Sequence, residues 1–155
     1  MKQLNGAATA KVGAPIDRCF TLLADVEQYP SWHSELIRAV TVLERDERGL
    51  PTRASTTLHV AHGPLVRDFD FLLDVRFEQP ELVELSRVPD DPADEEQLVM
   101  RWRLGGSGET GIELELHARL AVPRFVPLGS IGDALGGSFL RAAVRRLEED
   151  YSAGR

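Results

Sequence analysis

Ala14-Pro15-Ile16-Asp17-Arg18-Cys19-Phe20-Thr21-Leu22-Leu23-Ala24-Asp25-Val26-Glu27-Gln28-Tyr29-Pro30-Ser31-Trp32-His33 reads as two short helices in succession. Pro15 suits a first helical position, where its missing N–H is no loss. Asp17 puts a carboxylate in the first turn, at the positive end of the helix dipole. Ile16, Phe20 and Leu23 keep the i, i+4, i+7 spacing of one buried face. Asp25, followed three residues on by Gln28, has capping-box spacing and predicts the start of the second helix. Pro30 then interrupts it. Cys19 beside Phe20 reads as a small packed residue, since no base stands at helical spacing to activate it.

On either side of this stretch the chain alternates like strand. Residues 4–13 set Ala8, Ala10 and Val12 against Thr9 and Lys11. Strands follow at 36–45, 52–61, 65–77, 81–88 and 97–104, and a seventh runs through Ile112 to Val122. The fourth directs Phe69, Phe71, Leu73, Val75 and Phe77 to one side, and Asp68, Asp70, Asp74 and Arg76 to the other. The second is ambiguous, because its apolar residues occupy both parities. Turns at Arg48-Gly49, Gly63-Pro64, Gln79-Pro80 and Gly105-Gly106-Ser107-Gly108 join neighbours, with a loop of two prolines and four acids at 89–95. Short connections imply an antiparallel meander with one solvated face. A helix from Gly129 to Tyr151 closes the chain, its apolar face carrying Ile131, Leu135, Phe139, Leu140, Ala143, Val144, Leu147 and Tyr151.

The motif Ala14-Pro15, Phe20, Leu23, Asp25, Tyr29-Pro30 and Trp32, in this order of elements, resembles the START and polyketide cyclase/dehydrase (SRPBCC) superfamily. The resemblance implies an α+β helix-grip fold. Its parts are a curved antiparallel sheet of about seven strands, two short helices after strand 1, and a long C-terminal helix over the concave face. It also implies an apolar cavity between that helix and the sheet. The family does many jobs, so fold alone does not assign one.

Composition fits a single domain over residues 1–155, with 43% hydrophobic and 28% charged residues. A net charge of −7 disfavours nucleic acid, whose binding needs phosphates neutralised by Lys and Arg. No apolar stretch resembles a signal peptide or spans a bilayer, so a cytoplasmic protein without integral membrane association is expected. His59 and His62 fall on opposite faces of a strand and His117 on a polar one, so neither metal nor cofactor is expected. Asp68 and Asp70 share the polar back of the sheet and read as a solvated edge.

The helix carries Gly132, Gly136 and Ala143 near the centre of its apolar face. A helical glycine costs about 1 kcal/mol relative to alanine. Either these residues let the helix approach the sheet, or they leave room for a ligand. The resemblance favours room, and the expected lining is Trp32, Thr56, Leu58, Arg67, Phe69, Phe71, Leu73, Met100, Trp102, Leu114, Leu116, Leu135, Gly136, Phe139 and Ala143. The first functional expectation is binding of a hydrophobic small molecule: a lipid, an isoprenoid quinone or a polyketide-like compound. The rival is a polyketide cyclase or dehydratase acting in the same cavity. That chemistry needs an acid or base in the pocket, and Arg67, His33 and Thr56 are the first residues to suspect. A third class, a protein-interaction module, finds no supporting patch on the exposed flanks.

Overall fold

The structure is a computed structural model of the chain and describes residues 1–63, 65–122 and 131–153. Seven strands form one antiparallel sheet: β1 (Lys2–Val12), β2 (Ile37–Arg45), β3 (Pro51–His62), β4 (Leu65–Glu78), β5 (Leu82–Arg87), β6 (Gln97–Gly105) and β7 (Thr110–Leu120). Their order is β1-β7-β6-β5-β4-β3-β2. Strands β2 to β7 are successive neighbours, and β1 crosses to pair with β7, leaving β1 and β2 as edges. This is the helix-grip arrangement that the sequence predicts.

Alternation decides which face is wet. Phe69, Phe71, Leu73 and Val75 of β4 are buried, while Asp68, Asp70, Asp74 and Arg76 are exposed. The exposed face carries cross-strand pairs: Arg101 to Glu84 at 2.7 Å, Arg53 to Asp74 at 2.9 Å and His59 Nδ1 to Asp68 at 2.6 Å. Arg101 and Glu84 are part-buried; an exposed pair such as Arg53–Asp74 contributes about 0–1 kcal/mol. These pairs favour one register and keep the face soluble rather than hold the fold together. In β2 the register shifts between Ile37 and Ala39 and again between Val42 and Glu44. The first irregularity turns Val40 and Val42 to the face of Ile37, although they differ from it in parity. Ala39 and Leu43 are apolar residues left on the exposed face.

The first helix, α1 (Ile16–Ala24), buries Cys19, Phe20, Leu23 and Ala24. Pro15 stands at its N-cap in extended geometry, so the helix begins one residue later than the proline rule suggests. The capping box does not form. Asp25 makes no capping hydrogen bond, and Val26–Gln28 is a single 3-10 turn. Pro30 lies in the first turn of α2 (Tyr29–Trp32), where it opens a helix instead of interrupting one. The buried Tyr29 hydroxyl donates to the Leu23 carbonyl and ties α2 back to α1.

The closing helix, α3 (Gly132–Ala153), lies along β1. A start at Gly129 lies outside the described residues. Its first turn crosses β1 backbone to backbone. A Cβ on Gly132 would stand 2.0 Å from the Asn5 carbonyl oxygen, and one on Gly6 2.1 Å from the Gly132 oxygen. Neither contact is possible for a real side chain. Asp133 Oδ1 accepts the Ala7 N–H at 3.1 Å, so the same turn also satisfies a donor of the edge strand. Gly136 is looser: an added Cβ would meet Leu116 Cδ1 at 3.7 Å, an ordinary contact.

The three positions therefore separate in experiment. Gly6→Ala and Gly132→Ala should each lower stability by at least the roughly 1–3 kcal/mol of an overpacked core. Gly136→Ala should raise it by up to about 1 kcal/mol through helix propensity. Urea midpoints of the three variants check the opposite signs.

Candidate ligand-binding interior

Phe139 is the centre of the interior. Its ring lies 5.0 Å from Trp102 and 5.6 Å from Tyr29, both edge to face. It stacks on Trp32 at 5.4 Å and on His33 at 5.3 Å. One α3 side chain thus joins α2 to the middle of the sheet. Along the strands, Val12, Leu104 and Ile112, together with Phe20 of α1, fill one side of this cluster. Thr56, Leu58, Phe69 and Phe71 lie toward the other, with Thr56 paired to Phe71 and Leu58 to Phe69 across β3 and β4.

The helix does not cover the sheet evenly. It packs closely along β1, lightly on β7, and makes no comparable approach to β3 or β4. Pinned at the Gly6–Gly132 crossing, its backbone stands farther from the β3–β5 half.

The expected lining residues divide accordingly. Leu73, Trp102, Leu114, Phe139 and Ala143 are 0% exposed and Met100 nearly so, forming the packed floor. Leu58, Phe69, Phe71, Leu116 and Thr56 are buried beside them, with the Phe69 and Phe71 rings stacked at 5.8 Å. Leu135 and Trp32 are half-buried at the border. Two expectations need correction. Gly136 faces Gly6, Ala7 and Leu116, so it serves the close approach to β1 and not an empty space. Arg67 is exposed. Its guanidinium lies 4.8 Å from the Phe69 ring centre and donates to the Ala121 carbonyl, so it caps the rim instead of entering the interior. A long cationic side chain lays its stem on apolar surface and keeps its charge wet.

Burial favours the neutral form of two ionisable groups in this region. Burial pushes the His33 imidazole below its ordinary pKa, Glu35 opposes that, and Arg145 adds to it. Burial pushes the Tyr29 phenol far up, partly offset by the Trp102 indole N–H beside it, although that pair does not reach hydrogen-bond geometry.

Arg87 was missed by the sequence analysis. It shares the inward parity of Val83 and Leu85, which was the available signal. Its side chain is only 5% exposed. Its guanidinium lies 4.9 Å from the Phe71 ring centre. One terminal nitrogen donates to Asp94 at 2.5 Å and the other to the Glu96 carbonyl at 2.8 Å, while Nε is buried without a partner. Asp94 is held down to about 2, first by Arg87 and then by the Asp90 N–H. Arg87 therefore fastens the acidic loop 89–95 over the end of β5. Among the described residues, His, Cys, Asp and Glu nowhere gather in a group of three that could hold a metal ion. No helix there is long and apolar enough to cross a membrane.

A family model described as polyketide cyclase / dehydrase and lipid transport matches residues 12–148. The chain belongs to this family. Its structure is similar to that of a START superfamily protein from Mycobacterium smegmatis, with 18% identity, a TM-score of 0.71, and coverage of 94% of this chain and 97% of that one. An aromatase/cyclase from Streptomyces sp. R1128 shares 19% identity at a TM-score of 0.54, covering 95% and 87% of the two chains. Major latex-like protein 151 of Panax ginseng shares 11% at 0.62, covering 96% and 97%. At these identities the likeness is one of fold. No curated protein matches the sequence.

His33 makes a pH test possible. A base kept neutral by burial binds fewer protons folded than unfolded, so stability falls as pH drops below the ordinary imidazole value of about 6.5. The wild-type urea midpoint should decline between about pH 7.5 and 5.5. His33→Phe, which keeps a ring on Phe139, should flatten that segment. An unchanged slope would assign it to other groups.

Proposed function

We propose that this protein binds a hydrophobic small molecule, such as a lipid, an isoprenoid quinone or a polyketide-like compound, between α3 and the β3–β5 half of the sheet. The uneven seating of α3 carries the reading. Its backbone is fixed to β1 by two glycines, while the apolar wall of Leu58, Phe69 and Phe71 faces a part of the interior that the helix does not approach. Phe139, Trp102, Met100, Leu73, Leu114, Leu116 and Ala143 would form its floor, Leu135 and Trp32 its border, and Arg67 its rim. Such pockets are lined by apolar and aromatic groups, with a few polar groups setting orientation. Thr56 and Arg87 are the inward polar groups nearest Phe71. Lipid transport in the description of the family supports the ligand class.

Cyclase or dehydratase chemistry in the same place is the second reading, supported by the same family description and by the aromatase/cyclase likeness. It needs a general acid or base in contact with the ligand. Of the residues first suspected, Arg67 is at the rim and Thr56 is a poor base. His33, neutral through burial, is the one suited to accept a proton. Recovery of the bound compound unchanged or converted after incubation distinguishes binding from catalysis.

Leu58→Trp tests the cavity itself, because it adds volume on β3, away from the helix crossing. With room to fill, titration with the neutral fluorophore N-phenyl-1-naphthylamine should show saturable wild-type binding. Leu58→Trp should then weaken it by about tenfold, the equivalent of about 1.4 kcal/mol, with little change in urea midpoint. A full interior would give no wild-type binding and a variant destabilised by roughly 1–3 kcal/mol.

A further inference from the structure

A second pocket, of about 360 Å³, lies outside the hydrophobic interior, between the end of α2 and the outer flank of α3. Its lining differs in kind from that interior: Ser34 and Glu35 after α2, Ser138, Arg141 and Arg145 on α3, and His33 with Trp32 at its base. Arg141 and Arg145 stand one helical turn apart. Like charges at i, i+4 destabilise a helix. In a chain with 25 acidic and 18 basic residues, counter-ions are plentiful. Yet neither arginine forms an ion pair with any described residue. One residue on, by contrast, Arg146 pairs with Asp150 at 3.3 Å.

The donors converge from two elements. Ser138, Arg141 and Arg145 come from α3, the Arg141 guanidinium lying beside Gly137; Ser34 and His33 come from the α2–β2 connection. The Ser34 and Ser138 hydroxyls engage no described residue. Ser31 also lines the pocket, but its hydroxyl donates to the Gln28 carbonyl at 2.5 Å and has no proton left to offer. Glu35 is the single acid among the described lining residues, against two guanidinium charges; Glu148 lies with the same arginines in the adjoining groove. Guanidinium and hydroxyl donors arriving from several directions suit an anion with several oxygens around one centre, more than a planar carboxylate.

We infer that this pocket binds a phosphate-type oxyanion, through Arg141 and Arg145 with Ser34, Ser138 and His33. The pocket is polar and lies across the Trp32 and His33 rings from Phe139, so the inference does not depend on a ligand in the interior. The phosphate can be free, or the phosphomonoester head of an amphiphile. An oxyanion beside His33 also favours its protonated form, against the effects of burial and Arg145 and together with that of Glu35.

Calorimetric titration with inorganic phosphate, at constant ionic strength and with chloride as the exchanged ion, tests the site. Saturable binding is expected. Arg141→Gln and Arg145→Gln should each weaken it by about tenfold, the scale of one charge-assisted hydrogen bond. Glu35→Gln should tighten it. Arg119→Gln changes net charge equally on the exposed face of β7 and should leave affinity within about twofold, as a distant screened charge does. NMR titration of the His33 ring should move its midpoint upward when phosphate is present. Competition by dihexanoyl phosphatidic acid separates the sources: markedly tighter binding than phosphate identifies an amphiphile head, and equal binding a free phosphate. Absence of saturable phosphate binding overturns the inference, as does equal weakening by Arg119→Gln. Naphthylamine binding reports the hydrophobic interior separately, so failure of one site does not imply failure of the other.

Discussion

The contact between Gly6 and Gly132 sets the rest of the architecture. Backbone approaches backbone there so closely that a single methyl group on either residue would occupy the space of a carbonyl. A helix fixed this tightly to an edge strand cannot also lie flat on a curved sheet. Its distance from the strands must grow across the sheet, and side chains must span the gap where backbone does not. Phe139 does so at the centre, with Trp102 beneath it and Tyr29, Trp32 and His33 around it. The helical glycine cost of about 1 kcal/mol per residue is the local consequence of a global geometric demand.

The aromatic cluster explains why the short helices after β1 matter so much. Alone, a four-residue helix has no stability, since nucleation exceeds what its few hydrogen bonds return. α2 persists because Tyr29, Trp32 and the following His33 bring large rings onto Phe139, and because the Tyr29 hydroxyl is satisfied by Leu23. Removing water from His33 in that packing disfavours its charged form. The unpartnered indole N–H groups of Trp32 and Trp102 belong to the same compromise between ring packing and polar satisfaction.

The strands, their order of occurrence and the closing helix were legible because period-2 alternation and the 3.6-residue stripe are properties of consecutive residues. The inward identities of Leu58, Phe69, Phe71, Leu73, Met100 and Trp102 followed directly. What was illegible depended on partners distant in sequence. Whether Gly136 leaves space or permits contact turns on Gly6, Ala7 and Leu116, which its own helix cannot reveal. Arg67 keeps inward parity but stands where the interior ends, so parity alone misplaced it. Arg87 has inward parity at a strand end, and only Asp94, Glu96 and Phe71 together, two of them past the end of its strand, make its burial possible. The capping box at Asp25 and Gln28 failed because Pro30 opens a helix two residues later, leaving a 3-10 turn between them.

Trp32 and His33 connect the interior to the outer pocket. One surface of each ring meets Phe139, and both residues line the polar pocket beside Arg141 and Arg145. A group that changes the charge of His33 from outside therefore acts on a ring whose packing was set with that ring neutral. The protonated ring pays a desolvation penalty that any widening of the Phe139 contact would relieve. Conversely, a molecule that displaces Phe139 from inside changes how far His33 is withdrawn from water. If both sites are filled, linkage requires each occupant to alter the other's affinity by the same factor. The sign of that coupling depends on whether the interior ligand presses the rings together or parts them.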